Sequence, residues 1–202
     1  MKKQVVVIHG GDTFDTYEEW FEYLKKKPLN FERIKSPQGD WKDGLGEKLG
    51  SDFEMVFPQM PNKQNAKYAE WKIWFETIIP YLEPEVMLIG HSLGGIFIPK
   101  YLSENKFPKT IRATFLVAAP YDDKDSEYTL GDFALPSDVS GFERQGGKIF
   151  MYQSEDDPMV PFSDFLKYQK VLPAATFRTF KDRAHFDQKE FPEIVEDIKG
   201  AA

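Results

Sequence analysis

The sequence predicts an α/β fold: a mostly parallel central sheet of about six strands with helices on both faces. Three observations predict it. Apolar runs rich in Val, Ile and Phe recur along the 202 residues, each of the length and composition of a strand buried on both faces. Between them lie segments with apolar residues at three- and four-residue spacing, the mark of a helix with one buried stripe. Strands that alternate with helices imply right-handed βαβ crossovers, which leave neighbouring strands parallel. With no internal repeat, low-complexity tract or linker in sight, residues 1–202 are expected to form a single domain.

In chain order, Gln4-Val5-Val6-Val7-Ile8-His9 is the first strand, ended by Gly10-Gly11. A helix follows over Thr16 to Lys27, with Tyr17, Trp20, Phe21 and Leu24 in register. The Lys25-Lys26-Lys27 run reads as cations at a helix C-terminus stopped by Pro28. Leu29 to Ser51 is rich in Gly, Pro and charge, with a short helix expected at Asp43 to Leu49. Phe53 to Phe57 is a second strand, closed by Pro58 and Pro61. Ala66 to Tyr81 reads as a helix whose Trp71, Trp74, Phe75 and Ile78 form a core-facing stripe.

Val86-Met87-Leu88-Ile89 is the next strand, and the helix after Ser92 is expected to kink or shorten at Pro99, which cannot donate to the carbonyl four residues back. Ile111 to Ala118 is a buried strand. Ala119 to Gly147 is a long irregular stretch headed by Asp122, Asp123 and Asp125. Lys148 to Gln153 (strand), Phe162 to Val171 (helix), Thr176 to Phe180 (strand) and Glu190 to Lys199 (helix) complete the chain.

Net charge is −7, which argues against nucleic acid or an anionic membrane as the main partner. The chain has no cysteine, so a disulfide framework, a thiolate nucleophile and a Cys-based metal site are excluded. Val5 to Ile8 is too short for a signal-peptide core, and no segment approaches membrane-spanning length, so a cytoplasmic location is expected.

The chemistry-bearing stretch is Gly90-His91-Ser92-Leu93-Gly94-Gly95, set between a strand and a helix. Gly-x-Ser-x-Gly in that setting is a nucleophile elbow: the turn is sharp, the serine strained, and side chains two residues either side would collide. A serine nucleophile needs a base to take its proton and a carboxylate to hold that base. Of the three histidines, His9 ends the first strand and His91 points away from Ser92 within the elbow. His185, just after the last strand, lies where loops converge on a ligand in an open parallel sheet.

The carboxylate is expected between serine and histidine in sequence. Asp157, four residues before Pro161 in an Asp-x-x-Val-Pro turn, is preferred, with Asp156 as a turn-former or solvated neighbour and Asp122 or Asp123 as the runner-up acids. The oxyanion donors expected are the N–H of Leu93 and, from the loop after the first strand, Gly11, with Asp12 next. Phe14, Tyr121 and aromatics between 119 and 147 are candidates for lining an acyl pocket.

Gly-His-Ser-Leu-Gly-Gly, Asp-Asp-Pro-Met-Val-Pro and Ala-His-Phe followed by Glu-Phe resemble the α/β-hydrolase superfamily. More closely they resemble its small serine hydrolase branch, which includes retinoblastoma-binding protein 9 and the YdeN-like proteins. The resemblance runs over nearly the whole chain. It implies an α/β-hydrolase fold without a large cap domain and serine hydrolysis of a small ester or related acyl substrate. Ser92, Asp157 and His185 match the family's serine, acid and histidine. Ala184 departs from the Gly that many relatives have before the histidine. No cofactor or metal is implied, and activity should fall as pH drops through roughly 6–7, where His185 stops being a neutral base. An acyltransferase or thioesterase with the same site is the nearest alternative, and a binding or regulatory module on the same fold is the other.

Overall fold

Alternation along β1 (Lys3–Ile8) sets up two core layers, with Val5 and Val7 facing one side of the sheet and Val6 and Ile8 the other, all four buried. In this computed structural model the described residues are 2–28, 30–35, 39–124, 126 and 128–202, and of 33 and 34 the backbone alone. The further strands are β2 (Phe53–Val56), β3 (Val86–His91), β4 (Ile111–Val117), β5 (Lys148–Ser154) and β6 (Thr176–Phe180). They form one sheet in the order β2-β1-β3-β4-β5-β6, with every pairing parallel. The α/β fold read from the sequence is the fold observed.

The order has a consequence for function. From β1 the chain crosses to β2 on one side, then returns to place β3 on the other side of β1, and every later strand continues outward from there. The C-terminal ends of β1 and β3 are thus adjacent while their connections leave in opposite directions, and a crevice opens between them. Ile8 of β1 pairs with Gly90 of β3, so the Gly10-Gly11 loop and the Ser92 elbow share that crevice.

The helices are α1 (Tyr17–Lys26), α2 (Phe31–Lys35), α3 (Leu45–Leu49), α4 (Tyr68–Ile78), α5 (Leu93–Glu104), α6 (Ser140–Gln145), α7 (Phe162–Val171) and α8 (Pro192–Ala201). One face of the sheet packs Val6, Ile8 and Leu88 against Trp71 and Phe75 of α4, Phe97 and Tyr101 of α5, Phe142 of α6 and Phe165 of α7. The other packs Val5, Val7, Met87, Phe115 and Val117 against Trp41, Leu45 and Leu49 around α3, and Ile194 and Ile198 of α8. Each large side chain so buried contributes about 1.5–3 kcal/mol. Among the described residues, no helix is long and apolar enough to cross a membrane.

Four details differ from the sequence reading. Helix α5 runs unbroken through Pro99, which is itself buried, as are Ile96, Phe97, Ile98, Tyr101 and Leu102. Burial along the whole helix outweighs the roughly 3 kcal/mol that an interior proline costs. Trp74 is 45% exposed, because the buried stripe of α4 runs through Tyr68, Trp71 and Phe75 and leaves position 74 on its edge. Residues 119–147 are less irregular than expected, holding a 3-10 turn at Gly131–Phe133 and helix α6. Helix α2 was likewise not anticipated, being too short to show a periodicity.

Candidate active site

Ser92 sits between the end of β3 and the start of α5 with φ 56° and ψ −122°, a backbone conformation that non-glycine residues seldom occupy. Such strain costs about 1–3 kcal/mol and persists only where the surroundings hold it. Here the Ser92 N–H donates to Val117 O at 2.9 Å, and Gly95 N–H donates to Ser92 O at 2.7 Å. The flanking glycines permit the close crossing: a Cβ on Gly90 would lie 2.3 Å from Gly94 O, and one on Gly94 would lie 2.4 Å from Ile8 O.

His185 is carried by the loop after β6, and that loop is tied down at several points. Ser154 Oγ, at the end of β5, donates to Asp156 Oδ1 at 2.5 Å and accepts from Arg183 N at 3.0 Å. Asp156 Oδ1 also accepts from Ala184 N at 2.9 Å. Phe186 is fully buried against Phe180 and Phe191, and its carbonyl accepts from Trp41 Nε1 at 3.0 Å. To turn the chain between these anchors, Ala184 and Phe186 both adopt positive φ, 43° and 58°. The histidine is therefore flanked by two left-handed residues.

Asp157 meets His185 directly. His185 Nδ1 lies 3.0 Å from both carboxylate oxygens. The Asp157 side chain is fully buried and also accepts from Met159 N at 2.8 Å, Val160 N at 3.0 Å and Gln153 Nε2 at 3.2 Å. That carboxylate, placed against Nδ1, holds the His185 proton there and leaves Nε2 with a lone pair. Among the described residues, His185 makes no hydrogen bond to Ser92 Oγ; without substrate, such bonds are often long.

The partners also settle the other two histidines. A lysine ammonium can only donate, so His91 Nδ1 accepts from Lys42 Nζ at 3.2 Å, and its Nε2–H donates to His185 O at 2.9 Å. Lys42 is paired with Asp40 at 2.5 Å. Burial above all, then the nearby Lys42 charge, holds His91 well below the usual histidine range. His9 Nδ1 donates to Gly10 O at 2.6 Å and its Nε2 accepts from Met60 N at 2.9 Å. His9, too, is lowered, chiefly by burial. His91 commits both ring nitrogens to Lys42 and the His185 carbonyl, a task the sequence did not reveal. The signal available was its place in the elbow, with Trp41-Lys42 far away in the chain.

On the other side of Ser92, the Asp12 N–H is committed to Lys63 O at 2.8 Å. The Gly11 N–H has no acceptor among the described residues, and Leu93, as the first residue of α5, has no intrahelical acceptor for its N–H. Gly11, Ser92 and Leu93 line one cleft of about 350 Å³, with Phe14, Tyr23, Tyr128, Leu130, Met159 and Val160 forming most of its apolar wall. His185 is not among its lining residues.

Other expectations fare differently. Asp156 is more than a solvated neighbour, since it joins the β5 and β6 loops. Asp122 lines the cleft but is paired with Lys167 at 2.8 Å; burial opposes its ionisation, yet the bonds from Lys167 and Lys124 hold it below its ordinary value. Among the described residues neither Asp122 nor Asp123 hydrogen-bonds or ion-pairs with His185, whose ring is held by Asp157, and Asp125 lies outside them. Phe14 lines the cleft, whereas Tyr121 packs edge-on to Tyr168 at 4.9 Å instead. Among the described residues, no three His, Asp or Glu side chains converge as metal ligands would.

The sequence matches the family described as serine hydrolase over residues 5–191. Serine hydrolase RBBP9 of the rat (Rattus norvegicus) is 27% identical over 200 residues, covering 98% of this chain and 94% of the relative. The putative hydrolase YdeN of Bacillus subtilis is 25% identical over 198 residues, covering 94% and 89%. The crystal structure of the ydeN gene product superposes with a TM-score of 0.78 at 19% identity, covering 99% of this chain and 98% of that one.

Proposed function

The chain belongs to the serine hydrolase family, and on that footing we propose that it hydrolyses small esters or related acyl compounds through Ser92, His185 and Asp157. The observation that carries the assignment is the His185–Asp157 pair: an imidazole with Nδ1 held by both oxygens of a buried carboxylate. Its backbone is bonded to His91, next to the strained serine.

In this reading Ser92 Oγ attacks the acyl carbonyl while His185 Nε2 takes its proton. The Leu93 and Gly11 N–H groups hold the oxyanion, each donor worth about 3–4 kcal/mol in the transition state. Collapse expels the leaving group, which receives the proton from His185. Water, deprotonated in turn by His185, then attacks the acyl-serine and releases the acid. Asp157 orients and stabilises the imidazolium in both halves. No metal or cofactor enters these steps. The commitment of the Asp12 N–H to Lys63 supports Gly11 as the second donor.

Labelling with a fluorophosphonate probe tests the assignment. The native protein should label, and the Ser92→Ala and His185→Ala proteins should not. Equal labelling of the Ser92→Ala protein would overturn it.

A further inference from the structure

Helix α1 is amphipathic, yet none of its ten residues is buried. Its start is fixed by a capping box, in which Glu19 N donates to Thr16 Oγ1 at 3.1 Å and Thr16 N to the Glu19 carboxylate at 3.3 Å. The stripe Tyr17, Trp20, Phe21, Leu24 has the spacing of a packed helix face, but Tyr17 is 61% exposed, Phe21 47% and Leu24 40%. Tyr17 stacks on Phe21 with centroids 6.2 Å apart and meets Trp20 edge-on at 5.1 Å, so the rings already form one continuous surface. An outward apolar face of this kind marks an interaction site.

Its pattern points to one occupant. The stripe is symmetric about the midpoint between Trp20 and Phe21, with Tyr17 and Leu24 equally far from it. Charge is unevenly distributed along it as well: Glu18 and Glu19 lie in the first turn, Lys25 and Lys26 in the last turn and Lys27 at the C-cap, with Glu22 between them. Glu18 and Lys25 are seven residues apart and so share one flank of the helix. Lys25 Nζ lies 4.6 Å from the Phe21 ring centroid, at the edge of the stripe, and donates to Glu22 Oε1 of its own helix at 2.6 Å, a bond that Glu18 of a second copy would share.

We propose that α1 is a self-association face, on which a second copy of this chain docks antiparallel about a two-fold axis. That operation sets Tyr17 against the partner's Leu24 and the exposed edge of Trp20, which is half-buried with its Nε1 turned inward, against the partner's Phe21. It keeps each flank on its own side, and so brings Glu18 beside the partner's Lys25 twice over. An anionic bilayer fits the face less well, because carboxylates border the stripe as fully as ammonium groups do, in a chain of net charge −7. A ten-residue helix offers about 15 Å of contact. The dimer should accordingly be weak, with Kd on the order of 10 µM to 1 mM.

Sedimentation velocity over a concentration series up to about 1 mM tests this. The native chain should dimerise, and Phe21→Glu should raise Kd by at least about tenfold. Glu18→Lys alone and Lys25→Glu alone should each weaken self-association through like-charge contacts. Mixing those two variants should restore association as a heterodimer, because each brings the charge that the other lacks. These positions are exposed, so circular dichroism should match the native chain. A monomer throughout the series, a dimer indifferent to all three substitutions, or variants that fail to rescue each other would overturn the proposal. So would binding of a monomer to phosphatidylglycerol vesicles that is lost in Phe21→Glu.

Discussion

His91 Nε2 donates to the carbonyl oxygen of His185 across 2.9 Å, so the residue before the proposed nucleophile holds the backbone of its proposed base. Each histidine has a tautomer to keep: Lys42 sets that of His91, and Asp157 sets that of His185. Loss of the His91 donor should let the base drift from its productive position. His91→Leu is expected to lower kcat on a chromogenic ester by about 10- to 100-fold with little change in KM. His91→Gln, which retains a donor, should lose less. Native kcat in a folded His91→Leu protein would sever the link.

Strain at Ser92 should be visible in stability. Ser92→Ala keeps the φ of 56° and is expected to remove about 10⁴–10⁶ of kcat with little change in stability. Ser92→Gly should be as inactive yet more stable by about 0.5–1 kcal/mol, because glycine adopts positive φ without a Cβ clash. Urea unfolding of the two variants side by side gives the difference. Equal midpoints would mean that the elbow is not strained.

The two neighbouring acids should separate in kinetics. Asp157→Asn is expected to cost about 10⁴ in kcat, since the amide would favour the wrong His185 tautomer. Asp156→Asn touches only the loop anchors at Ser154 and Ala184, and should cost about tenfold. Asp123→Asn should be indistinguishable from the native enzyme. The reverse order for Asp156 and Asp157 would reassign the acid.

Stability should decline on the acid side of neutrality. His9 and His91 are both lowered from an ordinary value of 6.5, chiefly by burial. Below that pH the unfolded chain takes up protons that the folded chain resists, so the contribution is full above 6.5 and is lost as pH falls beneath it. Each such histidine adds a slope of up to about 1.4 kcal/mol per pH unit. Asp12 and Asp164, raised by burial, act in the opposite sense, nearer the carboxylate range. Urea midpoints between about pH 7.5 and 5 should show the decline, and His91→Gln should flatten it. A level profile would contradict the buried, neutral state of both rings.

Much of this architecture was legible because it rests on local period and order. The six strands are apolar runs, and the elbow is spelled out by its glycines. Asp157 was legible from its turn and from lying between Ser92 and His185, and the structure puts its carboxylate on the His185 ring. What stayed hidden depends on contacts between segments distant in sequence. Nothing near His91 indicates that Lys42 and the His185 carbonyl will flank its ring. Nothing near Asp156 indicates that its oxygen will cap the Ala184 amide. Pro99 misled for a related reason, since the burial that keeps α5 intact comes from other elements. Helices α2 and α6, at five and six residues, are shorter than two turns and give only a weak period, although α3, equally short, was expected within 43–49.

Gly11, Ser92, Asp157 and His185 hang from the ends of β1, β3, β5 and β6, and β1 and β3, neighbours in the sheet, are separated along the chain by β2 and α4. Contacts of such wide sequence separation close late, because the chain loses the entropy of the loop before it gains the contact. During refolding, recovery of ester turnover should therefore lag the return of helical signal. A protease cut in an exposed loop between residues 11 and 185 that lets either end separate should therefore silence the enzyme.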